Sequence, residues 1–277
     1  MAKPRKLVIS LLHATWHREE SPVHLKRIWL DNAEEPRLVD YVFALDVDDS
    51  GSVSRTRGHL RIVGGQSVDG RPTSVRNWNA AAQVASGHLL FVIADDLYPP
   101  PRWDAMIRDT LMRLDPCRQE FAVKITDSNV TGDCLLRHPI VSRAYYENQG
   151  LFDPRFRSLH CDSDLTLNAF WRTGILDGRG ICFEHRHPAV DPRVRWTVSQ
   201  DAGNRGDEYE LSRTTFMEKW SRLQRLATLR PIPTSVGRTT LPYGKLVANA
   251  LGISGIPRRA IRGASGKTHA RLPPSIS

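Results

Sequence analysis

The chain has 277 residues, 40% hydrophobic and 25% charged, ordinary proportions for a soluble globular protein and enough for one large domain with an appendage. From Arg213 onward twelve Lys or Arg face a single acid, Glu218, so the tail carries +11 of the net +9 and residues 1–212 carry −2; by composition the main body is not a polyanion-binding surface. No apolar run approaches the ~20 residues of a membrane span, Leu7 to Leu12 is too short for a secretory leader, and Cys117, Cys134, Cys161 and Cys182 lack the spacing of a zinc knuckle or redox pair, which points to a cytoplasmic protein with free thiols.

Lys6 to Leu12 reads as a first strand, followed by a loop over 13–20 and a helix that starts at Ser21-Pro22, with Leu25, Ile28 and Trp29 on its apolar face. Asp40 to Leu45 is a second strand that empties into an acidic turn over 46–52, and Leu60 to Val63 is a third. Ser74 caps a helix with Val75, Trp78, Ala82 and Ala85 on one face, stopped by Gly87. Leu89 to Ala94 is a buried strand ending in Asp95-Asp96, and beyond Pro99-Pro100-Pro101 an amphipathic helix carries Trp103, Met106, Ile107, Leu111 and Leu114. Strands alternating with helices predict an α/β fold with a mostly parallel sheet.

The pattern changes past residue 120. Strands are expected at 121–125 and 134–136, a helix over 140–149 ending at Gly150, another over 162–173, a strand over 180–187 and one or two helices over 208–229. The chain therefore divides into a main domain, residues 1–212, and a basic extension, residues 213–277, helical at first and then partly disordered. Such a tail fits peripheral contact with an anionic membrane, or a simple solvated extension.

In an open α/β sheet, ligands bind outside the carboxyl ends of the strands. Three loops converge there: 13–18, the turn 46–49, and Asp95-Asp96. Adjacent carboxylates repel, and a divalent ion gripping a diphosphate relieves that cost, which makes Asp95 and Asp96 metal-ligand candidates. Arg76, in the first turn of its helix, is placed to clamp a phosphate. Asp162 reads either as the cap of the helix through Leu165 and Phe170 or as an oriented general base. His185 and His187 share a strand face, so either can supply a metal ligand.

The order of these motifs resembles that of family 2-type glycosyltransferases with the GT-A fold. The residues carrying the resemblance are Arg76-Asn77 with Ala80-Ala81-Ala82 and Ser86-Gly87-His88; Phe91 to Asp96 with Pro100 and Trp103; Gly150-Leu151-Phe152-Asp153-Pro154-Arg155-Phe156; and Cys161-Asp162-Ser163-Asp164-Leu165. The resemblance implies a nucleotide-binding sheet flanked by helices, with a smaller mixed sheet on the acceptor side. It also implies Mn²⁺ or Mg²⁺ held by Asp95 and Asp96 with His185 or His187, Asp162 as catalytic base, Asp46 and Asp48 at the nucleoside with Thr15 beside the base, and Arg76 at the diphosphate. The implied reaction is inverting transfer from a nucleoside-diphosphate sugar, UDP-sugar first, to a saccharide, lipid-linked or protein acceptor, with no specific nucleic-acid partner. Two departures stand out: Ala94 precedes Asp95-Asp96 where an Asp-x-Asp pattern is usual, and Cys161 replaces the usual Glu before the base.

Two other functions compete with this one. A nucleotidyltransferase would carry a Gly-rich basic loop after the first strand, whereas Leu12 to Arg18 has no glycine. A non-catalytic relative would use the basic tail to bind anionic membrane or nucleic acid.

Overall fold

Strands buried on both faces need apolar side chains at successive positions, and the runs ending at Thr15, Leu45 and Ile93 supply them. The computed structural model describes residues 6–18, 20–68, 73–127, 135–188, 191, 193–195 and 206–220. Strands β1 (Ile9–Thr15), β2 (Val39–Leu45), β3 (Arg61–Val63) and β4 (Leu89–Ile93) are joined, after the short β5 (Leu97–Tyr98), by β6 (Ala122–Thr126), β7 (Ile140–Ser142) and β8 (Ile175–Cys182). Apart from β5 they form one seven-stranded sheet in the order β3-β2-β1-β4-β7-β6-β8. The pairs β1–β2, β1–β4, β2–β3 and β6–β8 are parallel, and β7 runs antiparallel to both β4 and β6. Only β7 is reversed, so the sheet is mostly parallel, as expected. A second, two-stranded antiparallel sheet pairs β5 with β9 (Glu184–His185).

Alternation along each strand sorts the core onto two faces. Leu12, Val42, Ala44, Leu90 and Val92 pack with helices α3 (Ser74–Val84), α5 (Arg143–Gln149), α6 (Cys161–Arg172) and α7 (Gly206–Trp220). Ile9, Leu11, Phe43, Leu45, Phe91 and Ile93 pack on the opposite face with α1 (Pro22–Asp31) and α4 (Trp103–Thr110). Trp29 is fully buried there, 5.0 Å from the Trp103 ring and 5.6 Å from Phe183, and its indole N–H donates to the Leu97 carbonyl at 3.2 Å. One side chain thus secures the residues that flank both Asp96 and His185.

Several boundaries differ from the sequence expectation. The first strand continues through His13 and Thr15 because His13, which reads as a loop residue, is fully buried with both ring nitrogens bonded. A short helix, α2 (Ser50–Arg55), occupies the acidic turn, N-capped by Asp49, whose side chain accepts from Ser52 N–H at 3.1 Å. Thr73, rather than Ser74, is the N-cap residue of α3, and α3 ends before Gly87. Gly87 is needed for close approach instead, since a Cβ there would stand 2.6 Å from the Ser10 backbone nitrogen. The expected helix over 140–149 begins as β7, because β-branched Ile140-Val141 pair across the sheet before Ser142 caps α5. The strand expected at 180–187 starts earlier, at Ile175, and breaks into β8 and β9; Leu135 and Leu136 are not in a strand, and Cys134 lies outside the described residues.

The expected division at residue 212 falls inside α7. Phe216 and Trp220 are buried, and Lys219 Nζ meets Asp153 at 2.8 Å and Asp164 at 2.7 Å, so residues 213–220 belong to the packed body. The rest of the extension lies outside the described residues, and no described helix is long and apolar enough to cross a membrane.

Two measurements check this packing. Trp29→Ala should lower unfolding free energy in urea by about 3–5 kcal/mol, the usual cost of emptying a buried aromatic site. Asp104 is fully buried; burial alone would raise its pKa, but the N–H groups of Glu34 and Glu35, at 2.7 and 2.9 Å, and the Arg108 guanidinium hold it below the ordinary range. A carboxyl depressed in the folded state stabilises above the unfolded pKa of about 4 and loses that contribution as pH falls. Asp104→Asn should therefore cost about 1–3 kcal/mol at pH 7, with the deficit against the parent shrinking as denaturation is followed into acid.

Candidate functional site

Because β7 alone is reversed, β1, β2, β4, β6 and β8 bring their carboxyl ends to one edge of the sheet. The residues just past those ends are Trp16 to Arg18, Asp46, Asp95-Asp96, Asp127 and Phe183 to His185. β7 starts at that edge, which places His138, two residues before it, in the same neighbourhood.

Asp95 and Asp96 point to different partners. Asp95 Oδ1 accepts from His13 Nε2 at 2.9 Å and its Oδ2 from Arg18 Nε at 3.1 Å. The Tyr41 hydroxyl lies 2.8 Å from His13 Nδ1; donation from Tyr41 to Nδ1 leaves the proton on Nε2 for Asp95, which satisfies all three groups. Burial, then the Asp95 charge, push the Tyr41 phenol well above its ordinary range. Burial works against an ionised Asp95, but the His13 hydrogen bond and the His13 and Arg18 charges outweigh it and lower its pKa. Asp95, expected with Asp96 as a metal ligand, has one oxygen on His13 and the other on Arg18.

Asp96 belongs to the metal-competent cluster. Its donor oxygen and one ring nitrogen each of His138 and His185 all lie within 4.8 Å of one another. His185 Nε2 is 3.6 Å from Asp96 Oδ1, and Arg18 Nη2 is 3.6 Å from Oδ2. Against the cost of burial, His185, Arg18 and His138 hold the Asp96 carboxyl well below the ordinary range. Antiparallel pairing of Leu97 with His185, together with Arg186 N–H donating to the Asp96 carbonyl at 2.8 Å, sets this meeting. Of the expected histidine pair, His185 is a member; His187 sits beside it, ring centroids 5.4 Å apart, and is not one of the three donors. One carboxylate and two imidazoles suit a divalent ion.

Two residues of this cluster escaped the sequence reading. Asp127 follows β6 as Asp46 follows β2, so the rule that singled out Asp46 applies to it as well. It is buried, 2.8 Å from Lys124 Nζ and 3.1 Å from His138 Nδ1. Burial opposes its charge, yet His138 and Lys124 hold it far below the ordinary range. His138 carries no comparable local signal, because its position depends on β7 returning antiparallel. Burial lowers the His138 pKa despite the Asp127 hydrogen bond.

The residues expected at the nucleotide divide in two. Asp46 is fully buried, and its oxygens accept from Thr73 Oγ1 at 2.6 Å, Asn77 Nδ2 at 2.9 Å and the Arg76 guanidinium. Arg76 Nη1 and Nη2 also donate to the carbonyls of Gln66 and Gly65. Asp46 and Arg76, expected at the nucleoside and the diphosphate, bind each other and fasten α3 to the end of β2, where the enclosed carboxylate is balanced by the guanidinium. Thr15 is buried at the end of β1. Asp48 is exposed, accepts from Ser67 N–H and Oγ, and is lowered in pKa by the Ser67 hydroxyl despite slight burial.

Asp162 is the second residue of α6, with His160 rather than Asp162 as N-cap. It is half-buried, and both hydrogen bonds it accepts, from Ser163 N–H at 2.7 Å and Ser163 Oγ at 3.4 Å, fall on Oδ1; among the described residues none meets Oδ2. The loop before it packs on α3: Val75 N–H donates to the Arg157 carbonyl at 2.9 Å, and Asn79 bonds both the N–H and the carbonyl of Phe152. Trp78 of α3 stacks near Phe152 and donates to the Ile93 carbonyl at 3.0 Å, three residues before Asp96. Asp162 and Asp96 are thereby carried on connected segments. Cys161, in place of the usual Glu, is buried with its thiol 2.8 Å from the Ser158 carbonyl, and burial raises its pKa; it packs instead of presenting a charge.

No protein-family profile matches the sequence, and no curated protein matches it. Solved structures do. A fragment of Staphylococcus aureus TarS, residues 1–349, in complex with UDP-GlcNAc superimposes with a TM-score of 0.51 at 15% identity, over 76% of this chain and 66% of that one. The chain thus spans about two thirds of that fragment. The mannosyltransferase PcManGT of Pyrobaculum calidifontis, in complex with GDP-Man and Mn²⁺, matches at 0.48 with 12% identity, over 96% and 79% of the two chains. Glucosyl-3-phosphoglycerate synthase of Mycobacterium tuberculosis, in complex with Mn²⁺, UDP and glucosyl-3-phosphoglycerate, matches at 0.45 with 16% identity, over 83% and 82%. With its mostly parallel seven-stranded sheet, flanking helices and small antiparallel sheet, the chain has a fold of the GT-A glycosyltransferase type.

Proposed function

We propose that this chain is a metal-dependent inverting glycosyltransferase that moves a sugar from a nucleoside-diphosphate sugar to an acceptor hydroxyl. The observation that carries this reading is the meeting of Asp96 with His185 at the end of β4, with Asp162 presented from α6 on a segment tied through α3 to that strand. The fold it shares with the UDP-GlcNAc-bound TarS fragment supports the donor class.

Each residue has a distinct task. Asp96 and His185 would hold the divalent ion, which when bound neutralises charge on the diphosphate. Asp95 keeps Arg18 beside Asp96, so a guanidinium stands ready for the diphosphate oxygens. The Oδ2 side of Asp162 accepts the proton of the acceptor hydroxyl as its oxygen bonds to the anomeric carbon and the bond to the diphosphate oxygen breaks. Thr15, at the end of β1, and Asp48, three residues past β2, would contact the nucleoside.

Thermal-shift measurement with UDP, UDP-GlcNAc, GDP and GDP-Man should show stabilisation by at least one nucleotide that disappears when the divalent ion is chelated. Asp162→Asn should lower turnover by ~10²–10⁴-fold, the usual contribution of a general base, while nucleotide affinity measured by calorimetry stays unchanged. Near-parental turnover in that variant would remove Asp162 from the mechanism.

A further inference from the structure

Helix α7 carries Tyr209, Arg213 and Phe216 at i, i+4 and i+7, one face of the helix, and that face meets His160, the residue that turns the chain into α6. The His160 ring lies 4.9 Å from the Tyr209 ring and 5.9 Å from the Phe216 ring, centroid to centroid. Phe216 is buried, whereas Tyr209 is 48% exposed. Single exposed aromatics are ordinary. This one is braced by an imidazole two residues ahead of Asp162, on a helix that Phe216 and Trp220 anchor in the core.

His160 supplies the second observation. Its Nδ1 is enclosed with no hydrogen-bond partner, and nothing among the described residues bonds its Nε2. Burial lowers the His160 pKa although the Asp162 charge opposes the fall, so at pH 7 the ring is neutral, with one N–H and one lone pair. Nε2 is not one of the enclosed atoms, which makes it the nitrogen within a ligand's reach.

We propose that Tyr209 and His160 form an acceptor subsite beside Asp162 for an uncharged pyranose ring, which stacks a C–H face on Tyr209 and meets His160 Nε2 through a hydroxyl. The inference rests on the glycosyl-transfer reading for the role of that sugar as acceptor, and not for its binding.

The chemistry of the patch selects this class. A phenol ring is a flat apolar surface with a polar tip, matched to a sugar ring that has apolar faces and hydroxyls around its rim. The charges on that side of α7 are balanced in pairs, Arg213 with Glu210 at 3.3 Å and Arg157 with Glu208 at 3.7 Å, so they do not call for an anionic ligand. Asp162 Oδ2, which no described residue bonds, remains for the reacting hydroxyl. The expectation of a saccharide, lipid-linked or protein acceptor therefore narrows to acceptors that present a sugar ring.

The test titrates the full chain, without nucleotide, with methyl β-glucoside, methyl β-galactoside, methyl α-mannoside and methyl N-acetyl-β-glucosaminide, followed by saturation-transfer-difference NMR. At least one glycoside should bind, with transfer concentrated on the protons of one ring face. Tyr209→Ala should weaken that glycoside by about 3–10-fold, the worth of one aromatic contact, while Tyr209→Phe keeps the ring face and the affinity. His160→Asn, a residue type that tolerates the left-handed backbone, should weaken it by about 2–10-fold, the worth of one hydrogen bond. Near-UV circular dichroism reports that the variants are folded. Glucose 6-phosphate should bind no more tightly than methyl β-glucoside. If no glycoside binds, if folded Tyr209→Ala or His160→Asn binds as the parent does, or if the phosphate binds more tightly, the subsite is wrong; calorimetric binding of UDP or GDP with Mn²⁺ would then leave the glycosyl-transfer reading standing. If the glycoside binds through Tyr209 but neither UDP, GDP nor their sugars bind, the subsite is upheld as a sugar site and the glycosyl-transfer reading fails.

Discussion

Charge balance at the carboxyl edge of the sheet is the constraint on which the rest of the structure depends. Asp46, Asp95, Asp96 and Asp127 all follow parallel strands into buried or nearly buried positions, where a carboxylate stripped of its partner costs about 3–5 kcal/mol. Each is met by groups from other elements: Asp46 by Thr73, Arg76 and Asn77 of the α3 start, Asp95 by His13 of β1 and Arg18 beyond it, Asp127 by Lys124 and by His138 ahead of β7. The same contacts that make these charges tolerable also fix the loops against one another. Asp96 is approached by Arg18 Nη2 and His185 Nε2, each at 3.6 Å.

Packing beneath that edge holds the Asp96, His138 and His185 cluster in place. Trp29 stacks on Phe183 and bonds the Leu97 carbonyl, and so braces the two short strands whose pairing brings His185 to Asp96. On the other face, α7 does the same for the loop leading to Asp162. Lys219 joins Asp153 and Asp164, Trp220 Nε1 donates to Asp164 at 2.8 Å, and Arg157 reaches Glu208 at 3.7 Å. Burial, followed by Asp153, raises the pKa of Asp164 although Lys219 and Trp220 oppose the rise; this carboxylate ties α7 to α6. His160, in a left-handed backbone conformation with φ 59°, turns the chain into α6 while its ring lies against Tyr209 and Phe216 of α7. Such a conformation persists where surrounding contacts hold it.

The short-range patterns in the chain were sufficient for the main strands and the longer helices of the first 110 residues, though not for α2 or β5, because apolar periodicity and turn chemistry are local properties. The acidic pair after β4, Asp162 near the start of α6 and His185 were readable for the same reason. Partners distant in sequence were not legible in the same way. His13 reads as a loop residue until Tyr41 and Asp95 are beside it. Arg76 reads as a phosphate clamp until Asp46 takes its guanidinium, and Lys219 as part of a solvated basic tail until Asp153 and Asp164 close on it.

By itself, then, the sequence determined the α/β class, the strand ends that carry carboxylates, and the segments that carry Asp162 and His185. Tertiary structure alone decided which of those groups face one another. The reversal of β7 brings His138 into the site, the Leu97–His185 pairing selects His185 over His187, and Arg18 with His13 draws Asp95 away and leaves Asp96 to the imidazoles. The physical reason is that a side chain's type is local, whereas its burial, its charge partner and its tautomer are set by residues distant in sequence, as His185 is from Asp96.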